Sequence, residues 1–352
     1  MSKTYRDRQR LDEDVPAGRE VDLVEGLIVD GSRGIYRVET PEGPVVCTIR
    51  GRLRKVLEYA ESASARRGAR RVAVKPHDPV AVGDRVRVLV AGGAPQRGVI
   101  EEVVARGGAF TRRDPDRRPS DLTTVAGLDQ MAVILAARNP EPHLGLLDRF
   151  LVVAETQEIA PIIVMSKVDL GVPEWLAVRM GVYERLGYPV VYTSVETGTG
   201  LEELRGRLAG KTTALLGKSG VGKSSLLNLL EPAAAQRISE VSAATGKGRH
   251  TTTGTRLFPL SGLEGGYVAD TAGIRALGLS SEVEHRLDWC FPEFRPYLGR
   301  CRLADCGHTH EPSCAVRDAL RFGTVDRLRY ESYCRMQGAE AGPDEELWDG
   351  SE

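Results

Sequence analysis

The octapeptide Gly217-Lys218-Ser219-Gly220-Val221-Gly222-Lys223-Ser224 constrains this chain more than any other stretch. It fits G-x4-G-K-S/T, and it lies between an apolar run, Thr213–Leu216, that reads as a buried strand and a run from Lys223 to Leu230 that reads as a helix. Strand, glycine-rich loop and helix together make a phosphate cradle. The glycines let successive backbone N–H groups point inward at the α- and β-phosphates, and the helix N-terminus adds positive potential. In such a cradle Lys223 bridges the β- and γ-phosphates and the Ser224 hydroxyl ligates Mg²⁺, with Ser225 following on the same turn.

The surrounding pattern supplies the sheet that such a loop requires. Met131–Ala137, Pro161–Met165, Val190–Thr193 and Gly266–Ala269 are further apolar runs, and they alternate with helical patterns at Leu146–Glu158, Glu174–Leu186 and Leu201–Leu208. That alternation predicts an α/β domain with a parallel sheet and helices on both faces.

Three of the strand ends carry polar motifs. Ser166-Lys167-Val168-Asp169 resembles the N/T-K-x-D signature of guanine recognition. The Asp169 carboxylate would accept from N1–H and N2–H₂ of guanine, a pair adenine lacks, while the Lys167 stem packs over the base. Ser166 is shorter than the usual Asn and reaches less far. Thr193-Ser194-Val195 stands where a second loop would direct a backbone N–H at guanine O6. Asp270-Thr271-Ala272-Gly273 matches D-x-x-G, in which Asp270 holds Mg²⁺ through water and the Gly273 N–H meets the γ-phosphate. Between this motif and the phosphate loop, the polar segment from Gly246 to Thr253 suits a switch, with Thr251 or Thr252 as its Mg²⁺ ligand. The chain order is base loop, second base loop, phosphate loop, switch, D-x-x-G. Conventional GTPases begin with the phosphate loop, so this order is a circular permutation; a site is defined by where strand ends meet.

The chain has 352 residues, room for two to three domains, and no run of about 18 apolar residues that could span a bilayer. Its charged start lacks an apolar leader, so a cytoplasmic location is expected. The formal net charge of -1 conceals an asymmetry. Residues 1–120 hold 24 basic and 18 acidic side chains, the remainder 24 and 31. Clusters at Arg50, Arg52, Arg54 and Lys55, at Arg66, Arg67, Arg70 and Arg71, and at Arg112, Arg113, Arg117 and Arg118 suit a nucleic-acid backbone, because neutralised phosphates release counterions. Five short strand-like runs, Val24–Val29, Ile35–Val38, Val45–Ile49, Val82–Val90 and Val99–Val104, predict a small barrel of the OB-fold type. Few aromatics accompany them, which favours recognition of RNA shape and phosphate over base stacking. The stretch Arg112–Pro119 reads as a linker.

Three of the six cysteines fall in residues 301–314. Clustered cysteines in a reducing compartment point to metal. Cys301, Cys306 and Cys314 with His308 or His310 give three thiolates and an imidazole, the donor set of a closed structural zinc site. The metal would hold a short helical tail too small to fold on its core alone.

Permuted order, the switch sequence GRHTTT and the cysteine pattern together resemble the RsgA (YjeQ) family of small-subunit ribosome-assembly GTPases. The resemblance spans nearly the whole chain. Residues 1–20, polar and charge-rich without apolar periodicity, read as a mobile arm; the resemblance implies an OB-fold RNA-binding domain, placed over 21–115, a circularly permuted P-loop GTPase domain over 116–281 and a zinc-binding helical domain over 282–352. It also implies a monomer that binds GTP or GDP with Mg²⁺ and one structural Zn²⁺, contacts the small ribosomal subunit and its rRNA, and hydrolyses GTP faster when bound there. His308 is the imidazole ligand it favours. Ile274 follows D-x-x-G where Ras-like enzymes place the glutamine that orients water. An aliphatic side chain cannot do this, and the resemblance assigns the duty to His250.

Overall fold

The computed structural model describes residues 23–32, 34–54, 80–92, 95–104, 108–112, 122–230, 256–260, 265–270 and 287–338. These form two compact units. The first comprises residues 1–128, 241–259 and 267–275; the second comprises residues 129–240, 260–266 and 276–352.

In the first unit five strands close on themselves: β1 (Val24–Ser32), β2 (Ile35–Thr40), β3 (Gly43–Ile49), β4 (Arg85–Gly92) and β5 (Arg97–Val103). The order is β1-β2-β3-β5-β4, and β4 returns to pair with β1. Only β3 and β5 run parallel; the other ladders are antiparallel. Closure leaves no free edge, and alternate side chains fill the interior, with Ile28, Val38, Cys47, Val86, Val88 and Ile100 fully buried. Gly26 and Gly98 sit where a Cβ would press on Val38 and on Val88, so the barrel needs glycine at those crossings. This is the expected OB-type barrel. Arg50 of the first basic cluster is tied to the buried Glu101, at 2.5 Å.

Of the linker expected at Arg112–Pro119, residues 113–119 lie outside the described residues. Strand β6 (Gly108–Arg112) pairs antiparallel with β7 (Leu122–Leu128), so the stretch begins inside a hairpin strand. Two more strands, β12 (Arg256–Pro259) and β13 (Tyr267–Asp270), pair antiparallel, and β12 continues onto β1 beside an Arg256–Asp30 ion pair of 2.6 Å. The sequence had indicated only the second of them.

The second unit holds parallel strands in the order β10-β9-β8-β11, with ranges β8 Gln130–Ala136, β9 Ala160–Ser166, β10 Val190–Tyr192 and β11 Thr212–Leu216. All seven residues of β8 are buried, as expected of a strand covered on both faces. The crossovers carry helices α1 (Leu144–Thr156), α2 (Glu174–Arg185) and α3 (Leu201–Leu208), and α4 (Lys223–Leu230) follows β11. Helix α1 starts two residues before its predicted start because His143 caps it, Nδ1 accepting from the Leu146 N–H at 3.1 Å.

Residues 287–338 add α5 (Ala315–Arg321) and α6 (Arg327–Met336). Phe291, Phe294, Tyr330 and Tyr333 stack and edge-pack in a small core that Val152 of α1 completes, so this tail is seated on the α/β unit. Among the described residues no helix is long and apolar enough to cross a membrane.

Candidate nucleotide site and metal cluster

Every feature of the phosphate loop follows from its glycines. Gly217, Gly220 and Gly222 adopt φ of +142°, +81° and +95°, values that L side chains rarely take. A Cβ at Gly217 would also collide with the carbonyl oxygen of Ile134 on the neighbouring strand, so the loop can leave β11 only at a glycine. Lys223 opens α4 and folds back, its Nζ donating to the carbonyls of Gly217 and Lys218 at 2.7 Å each. Lys218, Ser219, Gly220, Ser224 and Ser225 are exposed at the mouth, whereas Val221 is buried as the anchor of the turn.

The first base loop is bonded directly to the phosphate loop. Ser166 ends β9, 5% exposed, and its hydroxyl lies 2.6 Å from the Val221 carbonyl and 3.1 Å from that of Leu135. The hydroxyl therefore faces the loop and the sheet. Lys167 takes a left-handed conformation, φ 56°, which aims its amino group at the carbonyls of Asn139 and Gly220, the latter at 2.7 Å. The sequence did not single out Asn139; its contribution is a backbone carbonyl, which leaves no mark on residue type.

The second base loop closes on the first. Ser194, 1% exposed, donates from Oγ to Oδ1 of the exposed Asp169 at 2.5 Å and accepts the Thr197 N–H at 3.2 Å. The Thr193 carbonyl accepts the Val168 N–H at 3.2 Å, and Val195 follows half-buried. Motifs as much as 55 positions apart thus share one hydrogen-bonded cluster. Asp270, the residue expected to hold magnesium, ends β13. His250, Thr251, Thr252 and Gly273 lie outside the described residues.

In the tail, Sγ of Cys301, Cys306 and Cys314 and a ring nitrogen of His308 all fall within 4.8 Å of one another. His308 Nδ1 stands 3.5 Å from Cys301 Sγ and 3.4 Å from Cys314 Sγ, and those sulfurs are 3.9 Å apart. A tetrahedral zinc, bonded at about 2.3 Å to sulfur and about 2.0 Å to nitrogen, would space its donors about 3.5–3.8 Å apart, so the set fits the ion in kind and size. His310 instead bonds Thr309 Oγ1 at 2.9 Å. Nε2 of His308 faces Asp288 at 3.6 Å, which orients the ring with Nδ1 toward the sulfurs. Burial raises the Cys314 thiol, but the hydrogen bond with His308 and further partners bring its pKa down to about 7, toward the thiolate that a metal needs. Glu311, unnoticed in the sequence, accepts the N–H groups of Gly307, Thr309 and His310 at 2.7, 2.9 and 3.1 Å. Burial raises its carboxyl, yet these N–H groups and its own hold it at about 2.

Comparison with known proteins places this geometry in company. Residues 103–280 match the RsgA GTPase family. The small ribosomal subunit biogenesis GTPase RsgA of Gemmatimonas aurantiaca is 42% identical over 313 residues, 89% of this chain and 96% of the relative. The protein of the same name from Alkaliphilus metalliredigens is 37% identical, covering 90% and 97%. Among solved structures, YjeQ from Thermotoga maritima superposes with a TM-score of 0.67 at 31% identity, over 90% of this chain and 98% of that one. YloQ, described as a circularly permuted GTPase, gives 0.64 at 28% identity over 92% and 97%.

Proposed function

Since the chain belongs to the RsgA family of GTPases, we propose that it binds the small ribosomal subunit through its rRNA and hydrolyses GTP to time a late step of that particle's maturation. The observation that carries the nucleotide half of this reading is the Ser166, Lys167 and Asp169–Ser194 cluster, which brings base-reading and phosphate-binding loops within hydrogen-bond distance. Guanine lies against Asp169, Lys167 and the Ser194–Val195 loop. The phosphates lie over Gly217 to Ser225. Lys223, at the start of α4, reaches the β- and γ-phosphates.

Ser224, Asp270 and one of Thr251 and Thr252 would hold Mg²⁺, which would supply charge neutralisation at the γ-phosphate, and Gly273 would meet the same phosphate. His250 orients the attacking water. One zinc, which Cys301, Cys306, His308 and Cys314 would hold, would brace the tail. The protein works in the cytoplasm as a monomer, with functional pieces at residues 1–20, 21–115, 116–281 and 282–352. Turnover is measured on the purified chain alone, with small subunits and with large subunits. Acceleration by the small subunit only is expected; equal rates in all three would remove the ribosomal half of the proposal and leave the nucleotide half standing. His250→Ala is expected to bind GTP normally and lose the stimulated rate.

A further inference from the structure

The tail is joined to the nucleotide-binding unit through a buried charged cluster. Arg329 of α6 is 2% exposed. Its Nη1 donates to Asp148 Oδ1 of α1 at 2.7 Å, and Nε and Nη2 donate to the two oxygens of Glu293 at 2.7 and 3.2 Å. The guanidinium lies over the Phe291 ring, 4.5 Å from its centroid, and faces Tyr183 of α2 at 5.6 Å. The Tyr183 hydroxyl donates to the same Asp148 oxygen at 2.8 Å. One cation thus serves two buried carboxylates contributed by the two pieces. Such a cluster tolerates little sliding, since a carboxylate left alone in the interior is strongly disfavoured.

Each end of this cluster reaches a functional loop within one helical turn. On the tail side, the next residue, Tyr330, donates to the His308 carbonyl at 2.8 Å, and Tyr333 donates to that of Gly307 at 2.8 Å, so α6 grips the metal loop by its backbone. On the other side, Leu146, Leu147 and Phe150 of α1 line a narrow apolar slot, and Gly217, Lys218 and Val221 of the phosphate loop form part of its wall. Phosphate loop and α1 thus line one slot, so a shift of either reshapes the wall that the other presents to it.

We infer that Arg329 is a positioning residue that couples occupancy of the phosphate loop to the zinc-bound tail through helix α1, so that each site senses the state of the other. The inference rests on the nucleotide and zinc reading above. Coupling of binding is reciprocal, so a non-hydrolysable GTP analogue should tighten zinc, and zinc should tighten the analogue, by one common factor of about fivefold or more.

The test uses the full chain, with zinc affinity from chelator competition and analogue affinity from fluorescence titration, each with and without the other ligand. Replacing the whole cluster by apolar groups, Asp148→Leu, Tyr183→Phe, Glu293→Leu and Arg329→Met together, leaves no stranded charge. This variant should bind each ligand alone as the parent does, with the common factor falling to about one. Arg329→Lys keeps the charge and loses the two-pronged contact; it should fold and show an intermediate factor, and it decides the matter if the fourfold variant does not fold. A parent that binds both ligands independently, or an Arg329→Lys protein with the full factor, overturns the inference alone. A parent that does not bind the GTP analogue overturns the functional reading with it.

Discussion

At Ser166 a hydroxyl stands where the guanine signature usually carries an amide, and its neighbours define what it does. Its oxygen bonds the Val221 and Leu135 carbonyls, so it holds the phosphate loop against β8. Ser166→Ala should leave the Val221 carbonyl short of a donor, a loss of about 1–3 kcal/mol. Nucleotide titration should therefore show GTP and GDP weakened alike, with the preference over ATP unchanged; a selective loss of guanine would mean the side chain reads the base. Asp169 predicts the opposite pattern. Asp169→Asn exchanges an acceptor oxygen for a donor at the guanine N–H edge, and the preference for GTP over ATP in competition should collapse by about 100-fold or more.

Among the elements, the metal loop from Cys301 to Cys314 depends most on a partner that is not apolar. The tail core packs Phe291, Phe294, Tyr330 and Tyr333 with Leu287, Val316 and Val325, whereas the loop itself is held by hydrogen bonds to its backbone and by its metal ligands. Chelation should therefore erase protection of the tail amides from hydrogen exchange while those of the β1–β5 barrel stay protected. Glu311 clamps three N–H groups of this loop. With its pKa lowered from 4.5 to about 2, the clamp contributes fully above the unfolded value and is lost as pH falls through about 2. Glu311→Ala should accelerate zinc extraction at neutral pH; an unchanged rate at pH 7 would show that the clamp is idle.

For the whole molecule the charge asymmetry sets the expectation. If the basic excess of residues 1–120 meets rRNA phosphate, subunit affinity should fall linearly in log–log dependence on salt. Charge reversal at Arg66, Arg67, Arg70 and Arg71 should flatten that slope without altering GTP affinity, as sedimentation with small subunits would show. Much of this organisation is visible in residue order alone. Strict glycine spacing identifies the phosphate loop because only glycine takes its backbone angles. Cysteine spacing marks the metal loop because few other uses bring thiols so close, and β-branched runs mark the barrel because alternation reports a half-buried strand. Three-dimensional packing decided the rest. The pairing of Ser194 with Asp169, the Asn139 carbonyl under Lys167, the Glu311 clamp and the Arg329 cluster join segments or backbone groups whose partners no local pattern names. Local sequence encodes conformational preference, whereas hydrogen bonds between distant segments exist only once the strands have chosen their neighbours.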